Sequence, residues 1–193
     1  SVQDAVDKSI GVIAVDRAVN GVTVDCSIAS DNVAGAKLAT EYLVELVGEG
    51  AKVAELEGVS GASATIDRGD GFHQVADEKL DVVSSQTANF NRSEGMTVME
   101  NMLQANPDIK GVFAHNDEMA LGAVEAAADK DIVIIGFDAT DDALNAVKEG
   151  KMAATVAQKP ELMGQTAVEC AQKILAGESV ESIIPVEVAL IKE

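Results

Sequence analysis

Short apolar, β-branched runs alternate along this chain with longer segments whose apolar residues recur every three or four positions. Strand-like runs occupy residues 10–15, 22–29, 51–56, 80–85, 110–114, 132–136 and 153–157, with a last one at 185–191. Helical periodicity covers 31–47, 63–76, 92–104, 117–128, 141–149 and 160–175. Ser30 or Asp31 caps the first of these helices and Gly48 ends it, with Leu38, Ala39, Tyr42, Leu43 and Leu46 expected on its inner face. Met96, Met99 and Leu103 are expected to point inward from 92–104. Thr140 to Asp142 read as a helix cap, Pro160 suits the first turn of the last helix, and Gly177 stops it. Strands interleaved with helices mean βαβ units. The predicted fold class is α/β, a parallel open sheet with helices on both faces.

The ends of the strands carry the candidate chemistry. The run Gly111-Val112-Phe113-Ala114 stops at His115-Asn116-Asp117, and a helical pattern begins at once. The runs ending at Asp138 and Gln158 repeat that grammar. Open α/β sheets bind ligands at the carboxyl ends of their strands. An amide, a carboxylate and a second amide therefore fall on one edge. Asp16-Arg17 follows another strand directly, and Arg68 lies in the 63–76 helix. Each could be unremarkable alone: a surface pair, a helix cap, a turn residue, a solvated charge. Together they suit a neutral ligand rich in hydroxyls, because a hydroxyl both donates and accepts. Asp16 and Asp138 supply acceptors, Arg17 and Arg68 donors, and bonds to charged partners contribute about 1.5–3 kcal/mol each. Phe90 and Phe137 could cover the apolar face of a ring, whereas Phe113 sits mid-strand and reads as core.

Composition narrows the field. Apolar residues make up 47% of 193, so a sizeable core is available, but aromatics are 3% and Trp is absent, so aliphatic side chains must build it. A formal charge of -19 argues against nucleic acid, which needs a basic footprint, and against anionic membrane surfaces. It favours a self-repelling, soluble chain. Cys26 and Cys170 form neither a disulfide framework nor a zinc motif, and both lie in apolar patterns that read as buried free thiols. His73 and His115 have no partner at ligand spacing, so no metal and no cofactor is expected. There is no phosphate-binding loop, and Arg68-Gly69-Asp70-Gly71 lies inside a helical pattern rather than after a strand. Asp138 to Asp142 lacks the glycine and distal Glu of a calcium loop. No nucleophile elbow supports hydrolase chemistry.

Several segments, in order, resemble the periplasmic sugar-binding proteins of ABC transporters, in particular their ribose-binding branch. They are Ala14-Val15-Asp16-Arg17, Ile28-Ala29-Ser30-Asp31-Asn32, Gly58-Val59-Ser60-Gly61, Asp67-Arg68-Gly69-Asp70-Gly71-Phe72, Asn89-Phe90-Asn91-Arg92, Phe113 to Gly122, Gly136-Phe137-Asp138 and Ala154 to Gln158. The resemblance implies a periplasmic-binding-protein type I lobe plus remnants of a second lobe. On that pattern 31–158 and 183–193 form the C-terminal sugar-binding lobe, and 1–30 with 159–182 a partial N-terminal lobe. It implies sugar contacts from Asp16, Arg17, Arg68, Phe90, Asn116, Phe137, Asp138 and Gln158. Ser30, Lys159 and Pro185 would mark the hinge crossings. The partners implied are a small neutral sugar (ribose for preference), an ABC permease and a chemoreceptor, with the receptor itself monomeric. The implied location is the periplasm, or the outer face of a Gram-positive membrane. The first βα units of the family's first lobe are absent from this sequence, and with them side chains that close over the sugar.

Two other classes remain open on the sequence. The effector-binding core of a LacI-type transcription regulator shares this fold and would be joined to a basic helix-turn-helix, where a receptor would carry a signal peptide. A small α/β enzyme would require turnover, and no activated nucleophile or tuned acid–base pair supports it. Among sugars, allose or a furanosyl ligand remains open beside ribose. A glucose or galactose receptor would need the Trp platform and calcium loop that are not found.

Overall fold

A computed structural model describes residues 1–192. The chain forms two compact units, each built from separated segments. The larger runs from Asn32 to Ala157 and takes back the C-terminal strand from Ala189 onward. The smaller comprises Ser1–Asp31 and Gln158–Val188.

The larger unit is a six-stranded sheet in the order β4-β3-β5-β6-β7-β9. Its strands are β3 (Lys52–Glu57), β4 (Asp81–Thr87), β5 (Gly111–Ala114), β6 (Val133–Asp138), β7 (Ala154–Ala157) and β9 (Ala189–Lys192). All neighbours are parallel except β7 and β9. β3, β5, β6 and β7 are continuous buried runs, as strands covered on both faces must be. β4 is polar and largely exposed, which blunts the edge it occupies.

Helices α2 (Asn32–Val47) and α3 (Ser63–Lys79) pack together, with α2 against β5, β6, β7 and β9 and α3 against β4. A second helical layer holds α4 (Arg92–Ala105), α5 (Asp117–Ala126) and α6 (Asp141–Lys148). The core there is aliphatic and Met-rich, with Leu56, Met99, Met102, Val112, Met119, Ile134 and Met152 almost fully buried. Three of these helices start at the carboxyl edge of the sheet, each capped at its first turn by a side chain. Asn91 accepts from Glu94 N at 3.0 Å, Asn116 from Met119 N at 3.0 Å and Thr140 from Ala143 N at 3.3 Å.

The smaller unit has a three-stranded parallel sheet in the order β1-β2-β8, from β1 (Ile13–Val15), β2 (Cys26–Ser30) and β8 (Ile183–Val186). Helix α7 (Pro160–Leu175) packs on β1 and β2, and a short helix α1 (Val2–Asp7) is closed by a capping box at Ser1 and Asp4.

The structure corrects the sequence reading in three places. The single strand expected at 185–191 is two. β8 pairs with β2 in the smaller sheet and β9 with β7 in the larger, so 183–188 belong to the smaller unit and the third chain crossing follows Pro185 instead of preceding it. Asp31 and Gln158 likewise fall in the smaller unit. The buried face of α2 is Asn32, Gly35, Ala36, Ala39, Thr40 and Leu43, while Leu38 and Leu46 are exposed. Small residues face inward because α3 lies so close that a Cβ on Gly71 would sit 2.4 Å from the Val33 carbonyl oxygen.

Candidate functional site

The chain leaves β3 toward β4 on one side and returns through α4 to β5 on the other. That reversal opens a crevice beyond the carboxyl ends of β3 and β5. Strained backbone marks the surrounding rim. Asn89 (φ 52°) and Phe90 (φ 58°) follow β4, and Asp138 (φ 127°) and Ala139 (φ 54°) end β6. Left-handed or related conformations in such residues cost about 1–3 kcal/mol each and persist only where the surroundings enforce them. Asn89 is held by Glu94, whose carboxylate accepts from its amide at 2.7 Å. The β6 end is held by Asp117 and Thr155: Thr155 Oγ1 donates to Asp117 Oδ1 at 2.6 Å and accepts from Ala139 N at 3.1 Å, while Thr140 N donates to Asp117 Oδ2 at 2.8 Å.

Arg68 is the centre of the rim, and it is 4% exposed. Its Nε donates to Asn32 Oδ1 at 2.8 Å and its Nη1 to the His115 carbonyl. Nη1 also lies 3.7 Å from Asp138 Oδ1, and the guanidinium carbon sits 3.7 Å over the Phe137 ring. A buried cation is tolerable only when paired and hydrogen-bonded, and this set meets both conditions. Phe137 is itself fully buried, so its ring seats the guanidinium. Asn116 uses its oxygen to cap α5 and donates from Nδ2 to the Phe90 carbonyl at 3.4 Å, which leaves one amide proton. The half-buried Phe90 ring fits only because residue 58 is glycine. A Cβ there would lie 2.1 Å from Phe90 Cζ. The larger unit therefore brings together Arg68, Phe90, Asn116, Phe137 and Asp138.

Two buried acids support this rim. Asp117 is fully buried, and burial pushes its carboxyl up to about 6 despite the bonds from Thr155 and Thr140, with the nearby Asp138 charge adding to the rise. Gly136 makes room for it, since a Cβ there would meet Asp117 Oδ1 at 2.4 Å. Glu55 is also fully buried. Burial would raise it, but bonds and charge from His115, Ser85 and His73 hold it below the usual carboxylate range. His115 Nε2 lies 2.9 Å from Glu55 Oε1, and the Gly58 N–H points at His115 Nδ1 at 3.4 Å. The ring is thus fixed between the Gly58 amide and the Glu55 carboxylate. His73 spans Glu55 Oε2 at 3.2 Å and Asp77 Oδ1 at 2.7 Å. Burial lowers its affinity for a proton, but the two carboxylates outweigh that and raise it.

The smaller unit holds the other sequence-predicted residues. Asp16 (φ 74°) and Arg17 follow β1 as an exposed pair, 3.7 Å apart. At the end of β2, Ser30 Oγ donates to Gln158 Oε1 at 2.6 Å, and Asp31 N bonds the Val186 carbonyl at 2.8 Å. Lys159 pairs with Glu187, and Pro185 lies opposite Ala29. Among the described residues no group of three or more His, Cys, Asp or Glu could hold a metal ion, and no helix is long and apolar enough to cross a membrane.

The family model described as "Periplasmic binding protein domain" matches residues 1–179. This chain belongs to that family. It is 53% identical over 186 residues to the ribose import binding protein of Bacillus subtilis (strain 168), covering 95% of this chain and 61% of the relative. It is 48% identical over 195 residues to the ribose import binding protein of Escherichia coli (strain K12), covering 99% of this chain and 66% of the relative. This member of the family thus spans about two thirds or less of the length of those relatives. The fold is similar to an ABC transporter solute binding protein from Bacillus halodurans C-125 solved with bound myo-inositol, with TM-score 0.90 and 36% identity over 99% of this chain and 69% of that one.

Within this periplasmic-binding-protein domain, sequence reasoning missed the residues that build the rim from behind. Asn32, Glu55, His115 and Thr155 are buried and polar, and each holds a neighbour in place. Asn32 and Glu55 sit in runs otherwise read for their apolar pattern. A polar residue breaking such a run was the available signal.

Proposed function

We propose that this chain is the sugar-binding body of a solute-binding receptor that takes up a small neutral sugar, ribose for preference, and presents it to an ABC permease. The observation that carries the reading is the Arg68–Asp138 pair at the rim: a buried cation and a partly open carboxylate, 3.7 Å apart. The pair has no net charge and offers a donor and an acceptor side by side, which is what adjacent sugar hydroxyls require. Asn116 adds a donor, and Phe90 an apolar surface for ring C–H groups. The relatives named for ribose import, at 48% to 53% identity, favour ribose within that class. Asp16, Arg17 and Gln158 are further contacts in this reading. Ser30, Lys159 and Pro185, beside the chain crossings, are its hinge positions, at which ligand shifts the population of closed molecules. No bond of the sugar is broken. The receptor acts outside the cytoplasmic membrane, either in a periplasm or tethered to the outer surface.

Isothermal titration calorimetry on the full-length protein with D-ribose, D-allose and D-glucose tests this. Saturable binding that is tightest for ribose, with the sugar recovered unchanged, is the expected result. Absence of binding to every sugar in the panel rejects the reading.

A further inference from the structure

Cys26 and Cys170 lie 144 positions apart in sequence, yet their sulfurs are 3.9 Å apart in the core of the smaller unit. Both are buried free thiols. The packing around them is ordered at both ends. Alternation along β2 turns Cys26, Ile28 and Ser30 to one buried face. On α7 the buried residues Met163 and Cys170 are seven apart, two turns on one stripe. Ser30 Oγ meets Met163 Sδ at 4.0 Å, and Cys26 meets Cys170. The helix therefore runs antiparallel to the strand, and the thiol pair is set by the register of the whole β2–α7 contact. The two cysteines also come from different halves of this unit: Cys26 from residues 1–31 and Cys170 from 158–188.

We propose that Cys26 and Cys170 are an oxidisable pair that closes to an internal disulfide, fastening together the two chain segments from which the smaller unit is made. The bond is about 2.05 Å long. Reaching it from 3.9 Å needs both sulfurs to approach by side-chain rotation. The benefit is largest where it is needed. Among the described residues the buried apolar cluster around the thiols is Cys26, Ile28, Met163, Cys170 and Val186, few side chains to hold two separate segments. A cross-link closing so long a loop removes much of the freedom of the unfolded chain.

A small disulfide RSSR is a sufficient oxidant. When local opening of the β2–α7 contact bares one of the buried thiols, its thiolate attacks RSSR and expels RS⁻. The other cysteine sulfur then attacks the mixed disulfide, expels the second RS⁻ and leaves the Cys26–Cys170 bond. The protein gives up two electrons and two protons, and RSSR becomes two RSH. Burial, reinforced by the contact with Cys170, pushes the Cys26 thiol up to about 11, so closure is slow at neutral pH and faster as pH rises. This inference does not depend on what the rim of the larger unit binds.

The test incubates the intact protein with oxidised glutathione under conditions where circular dichroism shows the fold retained. The protein is then unfolded in alkylating reagent and its mass and peptide map are read. The expected product lacks two hydrogens, takes up no alkyl group and yields a Cys26–Cys170 cross-linked peptide. Its melting temperature should rise on the order of 5–10 °C, reversibly with dithiothreitol. Cys26→Ala and Cys170→Ala variants should each retain one alkylatable thiol and show no such rise. Recovery of two alkylated thiols, glutathione mixed disulfides as the final product, or a cross-link that forms without raising the melting temperature overturns the proposal.

Discussion

The guanidinium carbon of Arg68 lies 3.7 Å above the centre of the Phe137 ring, inside a wall that leaves the arginine 4% exposed. A cation–π contact in a desolvated setting contributes on the order of 2 kcal/mol. Phe137→Leu keeps an apolar plug but removes the quadrupole under the cation. Ribose affinity is expected to fall roughly 10-fold with the fold retained, measured by calorimetry beside a denaturation curve. Unchanged affinity would show that the ring only fills space.

Asp138 carries the acceptor of the pair. Asp138→Ala leaves Arg68 with its Asn32 and His115 bonds but takes away its carboxylate, and takes an acceptor from the ligand. Sugar binding should weaken by about 2 kcal/mol or more, some 30-fold. Calorimetry that returns wild-type affinity rules out this role for Asp138.

Gly58→Ala should act at a distance of one side chain. The added methyl would overlap the Phe90 ring, whose Cζ is 2.1 Å from the Cβ position, and would crowd Thr65 Oγ1 at 2.5 Å. Overpacking of this kind costs about 1–3 kcal/mol. Phe90 is expected to swing outward, with reduced sugar affinity and a lowered melting temperature together. A change in neither would place the ring elsewhere.

Asp117 makes stability depend on pH with a defined sign. Its carboxyl is raised from 3.8 to about 6 in the fold, so the native state holds a proton that the unfolded chain has already released between those values. Stability from this group is fully present below about pH 4 and is lost as pH rises through 6, by about 3 kcal/mol. Asp117→Asn removes that slope. Urea denaturation from pH 4 to pH 7 should show the variant gaining on the wild type toward neutrality. Parallel curves across the range would contradict it.

His73 has the opposite kind of partner. Its proton affinity is raised in the fold by Asp77 and Glu55, against the effect of burial. Its contribution is therefore complete below pH 6.5 and is lost as pH rises through its higher folded value. His73→Gln should destabilise the protein at pH 6 and make little difference at pH 9. The effect is modest, because the side chain is 41% exposed. Thermal melts at the two pH values decide it.

Much of the fold was legible because its signals are local. A buried parallel strand reads as an apolar run, a helix as a recurrence every three to four residues, and the cap at Thr140 marks where one becomes the other. Those rules also placed Asn116 and Asp138 at strand ends. They failed on α2, where Leu38 and Leu46 satisfied the helical period but face solvent. The winning face is made of small residues, and only the closeness of α3 explains that choice. They failed again at 185–191, where one apolar run is divided between two sheets. Hydropathy records that a segment is buried, not which neighbour buries it.

The alternation of strand and helix, the polar strand ends and the balance of acid and base along them were properties of the sequence alone, because each depends on residues a few positions apart. The surroundings of Arg68 were not. Asn32 is 36 positions from it and His115 is 47, and Phe137 and Asp138 come from a strand further on. Only the stacking of α3 over the sheet edge brings those groups within hydrogen-bonding range. A helix arginine that would otherwise be a solvated charge becomes a buried donor in that packing, since desolvation and pairing are properties of the folded chain.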